Sequence, residues 1–283
     1  MAADKHPRTT TGYRPEFVAD VLDDARAHDS LVYGITGLQG CGKSTLAAQI
    51  AALAGERGLL AVVLSIDDFY LGRRQRLRLG HRAHPLLATR GPPGTHDITL
   101  ACATIDALTS GTPTALPRFD KIADRRLPPS RWPRVARRPD LIMFEGWFLK
   151  VPPQARAKLH EPLNALERDG DPQGIWRAYC NLALAAYAPL WQRIDRLLFL
   201  QGPSFDVVPH WRWQQEAALQ AAHPGREAMR RETVDRFVLF FERVSRQALR
   251  TLPAIADRTI RIDAQREPEK AAPGPAFLTS RRR

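Results

Sequence analysis

The chain has 283 residues, of which 44% are hydrophobic, and its formal net charge is +12 at pH 7. This length and apolar content exclude a disordered protein, because such a chain can bury a substantial core. No apolar run reaches the roughly 18 residues of a membrane span, and Cys41, Cys102 and Cys180 are too widely spaced for a disulfide framework or a zinc site, so we expect a cytoplasmic protein without a membrane anchor.

Helical and strand patterns alternate along the chain. Apolar spacing predicts a helix at 15–28, and LVYGIT at 31–36 predicts a short buried strand. A glycine-rich turn, a helix from Ser44 and a second buried strand at 59–67 follow, which together form a strand–helix–strand unit with parallel strands. Further strands are predicted at 140–146, 195–201 and 258–263, and long helices at 174–194 and 232–249. This order predicts an α/β fold with a three-layer, doubly wound parallel sheet and helices on both faces.

Two stretches rich in proline and arginine, 71–97 and 118–139, are predicted to be loops. Both are longer than ordinary connections, and long loops usually carry function or move. The sequence contains no internal repeat. We therefore expect the whole chain to be a single domain, with a core of about 12–266 and flexible termini at 1–11 and 267–283.

The segment GLQGCGKS, residues 37–44, matches the phosphate-binding pattern GxxxxGK[ST] between a predicted strand and a predicted helix. In that context backbone N–H groups and a helix N-terminus converge on an anion. Lys43 is expected to reach the β and γ phosphates, and the Ser44 hydroxyl is expected to help hold Mg²⁺. The predicted nucleotide-binding residues are Gly37, Leu38, Gln39, Gly40, Cys41, Gly42, Lys43, Ser44 and Thr45.

Acidic residues end two of the predicted strands. Asp67 and Asp68 end one, and Glu145 ends the other, so they should line the crevice beside the phosphate-binding loop. One aspartate can take the proton of an attacking hydroxyl while the other faces Mg²⁺ or its waters; a helix N-cap with a solvated acid is the alternative. Candidate catalytic residues are Lys43, Asp67, Asp68 and Glu145, and candidate metal ligands are Ser44, Asp67 and Glu145.

The segment ATRGPPGTHD, residues 88–97, predicts a loop held in one extended shape. Its Arg90 and His96 offer hydrogen-bond donors to an anionic or hydroxylated small molecule. LPRFDK at 116–121 could complete that site or only pair within itself, and WRW at 211–213 offers a phosphate clamp. Candidate acceptor-binding residues are Arg90, His96, Asp97, Arg118, Asp120, Lys121 and Arg212.

The motifs GLQGCGKST, SIDDFYL, HPLLATRGPPGTHD, LPRFDK, FEGWFL, WRAYCNLAL and WRWQQE, in this order, resemble the D-glycerate 3-kinase family of P-loop kinases. The resemblance covers about residues 12–266. It implies a P-loop NTPase fold, ATP and Mg²⁺ as cosubstrates, and γ-phosphoryl transfer to a small hydroxy acid, above all D-glycerate. It also matches Asp67 with the acid used as base in the related phosphoribulokinase, uridine kinase and pantothenate kinase, and Glu145 with their metal-linked glutamate.

The chain departs from the family pattern at two places. After LPRFDK it continues IADRRLPPSRWP, where some members have a glycine-rich GRGDR, and Lys150 stands where glycine is frequent. Both positions could border the acceptor. A nucleoside or pantothenate kinase on the same scaffold is therefore the alternative enzyme, although an uncharged nucleoside would leave Arg90 without a partner.

The basic net charge suggests a different class, an NTPase that binds nucleic acid. The arginines, however, are scattered through the chain, with no basic stripe and no interleaved aromatic platform. We therefore expect a small-molecule partner and neither nucleic acid nor a membrane. The sequence leaves open the oligomeric state and whether residues 71–97 close over a bound ligand.

Overall fold

The computed structural model describes residues 12–222, 225 and 229–269. Its strands within these ranges are β1 (Val32–Gly37), β2 (Ala61–Ser65), β3 (Thr114–Ala115), β4 (Phe119–Asp120), β5 (Arg125–Arg126), β6 (Arg134–Val135), β7 (Leu141–Gly146), β8 (Arg196–Gln201) and β9 (Arg258–Arg261). Five strands form one parallel sheet in the spatial order β2-β7-β1-β8-β9, and β3–β6 and β4–β5 are short antiparallel pairs.

The helices of the described ranges are α1 (Pro15–Ala27), α2 (Lys43–Glu56), α3 (Arg73–Arg82), α4 (Ile98–Thr109), α5 (Ala165–Gly170), α6 (Ile175–Ala186), α7 (Ala188–Trp191), α8 (Val208–Ala222) and α9 (Arg231–Thr251). Short 3₁₀ turns lie at Ile66–Phe69, Pro85–Ala88, Pro129–Arg131, Arg156–Leu159, Phe205–Val207 and Leu252–Ala254. The helices alternate with the strands of the parallel sheet, as expected for an α/β fold.

The inner strands of the sheet are apolar along almost their whole length. Every residue of β1 and β7 is buried, and in β8 only the terminal Arg196 and Gln201 are partly exposed. A parallel sheet that is covered on both faces requires such runs, because neither face meets water. This is why the sequence could predict these three strands.

Side chains along each strand alternate between the two faces of the sheet. In β7, Ile142 and Phe144 pack with α4, α7 and α9, whereas Leu141 and Met143 pack on the side of α1 and α2. Burying one such aliphatic or aromatic side chain contributes about 1.5–3 kcal/mol. The result is a sheet between two helical layers, which confirms the predicted three-layer α/β fold.

Two stretches that we predicted as loops contain regular structure. Residues 71–97 include α3, whose ten residues RRQRLRLGHR contain no proline and are mostly good helix formers. Residues 118–139 include β4, β5 and β6, each of two residues. The loop prediction was wrong here because the prolines of each stretch are typical of irregular structure, although they lie outside α3 and outside the short strands.

Two element boundaries also differ from the predictions. The helix predicted at 174–194 divides into α6 and α7 at Tyr187, because Pro189 has no N–H with which to continue the helix. The strand predicted at 59–67 ends at Ser65, whose side chain accepts a hydrogen bond from the Asp67 N–H and begins a 3₁₀ turn. Asp67 and Asp68 therefore lie on a turn beyond the sheet.

Several predictions concern residues at the chain termini. The described residues do not include 1–11 or 270–283, and the latter range contains the final arginine cluster. Within the predicted C-terminal tail, Pro268 forms an isolated bridge with Ile262. The three cysteines are unpaired. Across the described ranges, no helix combines the length and the apolar character that crossing a membrane requires.

Candidate active site

The P-loop, Gly37–Ser44, runs from β1 into α2 and requires glycine at two positions. Gly40 and Gly42 have φ values of 82° and 95°, in the left-handed region that favours glycine. A Cβ on Gly40 would lie 2.7 Å from the Cβ of Trp211, and one on Gly42 would lie 3.0 Å from the Tyr13 ring. No side chain caps α2, so the N–H groups of its first turn remain available to an anion. The loop therefore fits a phosphate group.

Lys43 and Ser44 begin α2. The Lys43 ammonium donates to the Leu38 carbonyl at 2.8 Å, and the Ser44 hydroxyl donates to Glu145 Oε1 at 3.0 Å. Glu145 pairs in register with Ile35 of the neighbouring strand β1, which places its buried carboxylate beside the P-loop. Hydroxyl and carboxylate oxygens are ligands that Mg²⁺ prefers. These residues fit nucleotide phosphates accompanied by Mg²⁺.

Two residues near the ends of the described chain hold the P-loop from outside. The Tyr13 hydroxyl donates to the Cys41 carbonyl at 2.5 Å, and Arg266 Nε donates to the Gly40 carbonyl at 2.6 Å. The Arg266 guanidinium lies 5.1 Å from the centroid of the Trp211 ring, within the range of a cation–π contact. The sequence analysis missed both residues, because nothing in their local sequence marks contact with so distant a loop.

Asp67 lies on the 3₁₀ turn after β2 with a partner on each carboxylate oxygen. Tyr70 OH donates to Oδ1 at 2.7 Å, and the Lys121 ammonium donates to Oδ2 at 2.6 Å. Burial raises the pKa of Asp67, but the Lys121 charge and the hydrogen bonds from Lys121 and Tyr70 outweigh it, so the net pKa lies well below its ordinary value. Asp67 is therefore an ionised carboxylate that can accept a proton.

Asp68 fastens the LPRFDK segment to the end of β2. Its Oδ2 accepts from the Ser65 N–H at 3.4 Å and from Arg118 at 3.1 Å, and its Oδ1 accepts from the Phe119 N–H at 3.3 Å. Arg118 also donates to the Val63 carbonyl. Burial raises the pKa of Asp68. Asp68, a candidate catalytic residue, and Arg118, a candidate acceptor-binding residue, therefore make structural contacts with each other and with the backbone.

Two other predicted acceptor residues also stabilise local structure. Asp97 caps α4 by accepting a backbone N–H of the first turn at 3.1 Å, and its other oxygen pairs with Arg126 at 3.1 Å. Asp120 accepts two N–H groups of the following turn, each at 2.9 Å. In the structure both carboxylates therefore have local structural partners.

His96 is buried beside Asp67. Its Nδ1 lies 2.7 Å from the Tyr187 hydroxyl, which also accepts from the Gly94 N–H at 2.9 Å. Its ring stacks on Tyr70, with 4.6 Å between the ring centroids. Burial lowers the pKa of His96 to about 4, although the Asp67 charge opposes that shift. The imidazole is therefore neutral near pH 7.

A cleft of about 600 Å³ opens next to Asp67. We call it the basic cleft, because the charged residues that line it, within the described part of the chain, are Arg76, Arg90, Lys121, Arg212, Asp124 and Glu216. Burial lowers the pKa of Arg212, but a guanidinium remains charged at any physiological pH. Four cations and two anions give the cleft a positive potential that favours an anionic ligand.

The predicted residues that come together do so around Asp67. The charges of Asp67 and Glu145 raise the pKa of Lys121. The Asp67 charge also opposes the burial that lowers the pKa of Arg212. Lys121 therefore lines the basic cleft and also lies within electrostatic range of Glu145, which accepts the hydrogen bond from Ser44. The sequence analysis missed the cleft residues Arg76 and Asp124; their only signal was the density of arginine in the two stretches predicted as loops.

Two curated proteins are similar to this chain. The Schizosaccharomyces pombe protein mug58, described as an uncharacterized kinase, is 32% identical over 201 residues, which cover 67% of this chain and 71% of that protein. The chloroplastic D-glycerate 3-kinase of Arabidopsis thaliana is 33% identical over 257 residues, which cover 84% of this chain. The aligned part spans about half, 53%, of the Arabidopsis protein.

A solved structure is also similar. The D-glycerate 3-kinase of Cryptococcus neoformans var. grubii superposes with a TM-score of 0.72 at 25% identity, covering 90% of this chain and 96% of that one. No family model matches the sequence. The relatives agree with the P-loop, the parallel sheet and the ordered motifs, and they favour a small-molecule kinase over an NTPase that binds nucleic acid. The chain therefore belongs with mug58 to a family of P-loop kinases, and its similarity to two D-glycerate 3-kinases indicates a small-molecule kinase.

Proposed function

We propose that this protein transfers the γ-phosphoryl group of ATP to a hydroxyl of D-glycerate, with Mg²⁺ as the accompanying ion. The Arabidopsis and Cryptococcus relatives are named for phosphorylation of D-glycerate. The observation that carries the proposal is the contact between Lys121 and Asp67, which joins the basic cleft to the P-loop side of the site. An anionic acceptor and a nucleoside triphosphate can therefore meet at one carboxylate.

The P-loop would hold the nucleotide through its backbone N–H groups and the uncapped start of α2. Lys43, now bonded to the Leu38 carbonyl, would turn to the β and γ phosphates. Ser44 and Glu145 would hold Mg²⁺, and Asp67 would face it or its waters. Held by these residues, the ion would supply positive charge that stabilises the negative charge developing on the phosphate oxygens.

Asp67 is the proposed base. In phosphoryl transfer the transition state is loose, so the base mainly orients the hydroxyl and takes its proton as the new P–O bond forms. Tyr70 fixes Oδ1, whereas Oδ2 is held by Lys121, whose side chain is 58% exposed and free to move aside. The acceptor hydroxyl would then donate to Oδ2, and its proton would pass to Asp67.

The acceptor would lie in the basic cleft. Arg90 and Arg212 approach it from different segments and would bind the carboxylate of a hydroxy acid, and Lys121 would move from Asp67 toward the transferred phosphoryl group. His96, as a neutral imidazole beside Asp67, would support the orientation of the acceptor hydroxyl without neutralising the base. Asp68 and Arg118 would act indirectly, by holding LPRFDK in place.

The test is ADP release measured by a coupled assay with a panel of acceptors. D-glycerate, glycerol, uridine and pantothenate are compared at equal concentration with saturating MgATP. The proposal predicts that D-glycerate stimulates ADP release well above the other three. Lys43→Ala is the matched negative variant, because it removes the phosphate-binding ammonium and leaves the basic cleft intact.

Other outcomes would identify an alternative or reject the proposal. Preferential stimulation by uridine or pantothenate would assign a nucleoside or pantothenate kinase on this scaffold. If no acceptor stimulates ADP release in the wild-type protein, the assignment to D-glycerate fails.

A further inference from the structure

Arg76 is a buried arginine whose hydrogen bonds all serve neighbouring residues. Its side chain is 1% exposed. Its Nε donates to the Ala88 carbonyl at 3.2 Å, its Nη1 donates to the Leu71 carbonyl at 2.9 Å, and its Nη2 pairs with Asp124. Burying a guanidinium is costly unless its donors are satisfied. The three hydrogen bonds offset this cost. They also fix Asp124 and the start of the 88–97 segment relative to α3.

Asp124 divides its carboxylate between two arginines. Oδ2 accepts from Arg76, and Oδ1 accepts from Arg90 Nη1 at 2.8 Å. Asp124 has a φ of 50°, in the left-handed region that a non-glycine residue rarely adopts. Such a conformation persists where the surroundings determine it, and it often marks a functional position.

Arg90 retains donors that no described residue uses. Among the residues that the structure describes, its hydrogen-bond partner is Asp124 through Nη1, which leaves Nε and Nη2 for a ligand. The Arg76 and Arg90 guanidinium carbons lie 5.9 Å and 6.0 Å from the centroid of the Phe119 ring, so this ring supports both groups. Arg90 is thus held at a second place besides Asp124.

The charges of this group are unbalanced. Two guanidinium groups share the one carboxylate of Asp124, so positive charge exceeds negative charge by one among these three side chains. A ligand carboxylate that binds the open edge of Arg90 would balance this excess through charge-assisted hydrogen bonds. A neutral alcohol could not.

We propose that Arg76 and Asp124 are positioning residues that orient the open edge of Arg90, and that this arrangement makes the basic cleft select acceptors carrying a carboxylate. The inference rests on the proposed function and specifies how it discriminates between acceptors. Phe119 links the arrangement to the base, because it packs 5.3 Å, edge to face, against the Tyr70 ring, whose hydroxyl donates to Asp67. The residues that would bind the ligand carboxylate are therefore joined to the base by packed aromatic side chains.

The test is Asp124→Asn, assayed with D-glycerate and with its uncharged methyl ester. Loss of orientation predicts that KM for D-glycerate rises on the order of tenfold, the effect of one charge-assisted hydrogen bond. KM for ATP and kcat/KM for the methyl ester should change little. Asp106→Asn is the matched control, because Asp106 on α4 forms a two-point ion pair with Arg193, and neither residue lines the cleft.

The opposite result has a clear meaning. If Asp124 only reduced the positive charge of the cleft, its neutralisation would lower KM for D-glycerate; a lower or unchanged KM overturns the inference. Arg90→Lys is the second variant should Asp124→Asn fold poorly, because Lys keeps the charge but loses the fixed two-donor edge. It must also raise KM for D-glycerate, and an unchanged value again overturns the inference. Failure of the wild-type protein to phosphorylate D-glycerate would instead reject the proposed function.

Discussion

Replacing Lys121 with methionine tests what keeps Asp67 ionised. Lys121 Nζ lies 2.6 Å from Asp67 Oδ2, and Tyr70 OH lies 2.7 Å from Oδ1. Burial alone raises the pKa of Asp67, and the charge and hydrogen bond of Lys121 are the largest effects that lower it. Lys121→Met keeps the length of the side chain but removes its charge, so the pKa of Asp67 must rise.

The size of the rise follows from the geometry. An opposite charge in contact typically lowers a carboxyl pKa by about one to three units. The Lys121 side chain is 58% exposed, so solvent screens its charge, and we expect the lower part of that range. Since burial remains after the substitution and also disfavours the ionised carboxylate, the pKa of Asp67 should lie clearly above its wild-type value.

The assay is the pH dependence of kcat/KM for D-glycerate at saturating MgATP, which reports the ionisations of the free enzyme. A base loses activity as pH falls through its pKa, so Lys121→Met should lose activity at higher pH than the wild type. Tyr70→Phe removes one neutral hydrogen bond from Asp67 and should shift the acid limb less, in the same direction. An acid limb in Lys121→Met at the wild-type position would refute this reasoning.

Three further predictions test the base, the P-loop and the core. Asp67→Asn should lower kcat on the order of 10²-fold or more while MgATP binding persists in equilibrium titration; retained turnover would assign the base to another residue. Gly40→Ala should weaken MgATP binding about tenfold or more, because its φ is 82° and a Cβ meets Trp211; Gly58→Ala, with a φ of 77° and open space around it, should leave binding unchanged. Phe199→Ala should reduce the free energy of unfolding in urea by about 3–5 kcal/mol, since the ring is fully buried in β8; a loss below about 1 kcal/mol would contradict that packing.

The sequence was sufficient to predict the inner strands of the sheet because these strands are buried on both faces. VYGIT, LIMFEG and LLFL are continuous apolar runs, and a parallel sheet is the structure that needs them. The P-loop was equally predictable, because its backbone has positive φ angles that favour glycine, and these glycines form a recognisable local pattern. The ends of the helices and strands were less predictable. The break at Tyr187, for example, depends on one proline inside a long apolar helix pattern.

The candidate site was only partly predictable. Asp67 closely follows β2 and Glu145 lies near the end of β7, so their position at the carboxyl edge of the sheet follows from strand order. The partners of Asp97 and Asp120 could not be foreseen, because a helix cap and a turn use the same residue types as a binding site. Arg76 was hidden for a similar reason: among many arginines, only the fold shows which one is buried.

The central claim is that this site moves a phosphoryl group from ATP to D-glycerate, and transfer of label tests it most directly. The purified protein is incubated with ATP labelled at the γ-phosphorus, Mg²⁺ and D-glycerate, and the labelled products are separated. The account predicts label in a phosphoglycerate in amounts equal to the ADP formed, with little in inorganic phosphate. Label recovered only as inorganic phosphate, or unchanged ATP beside intact D-glycerate, would contradict it.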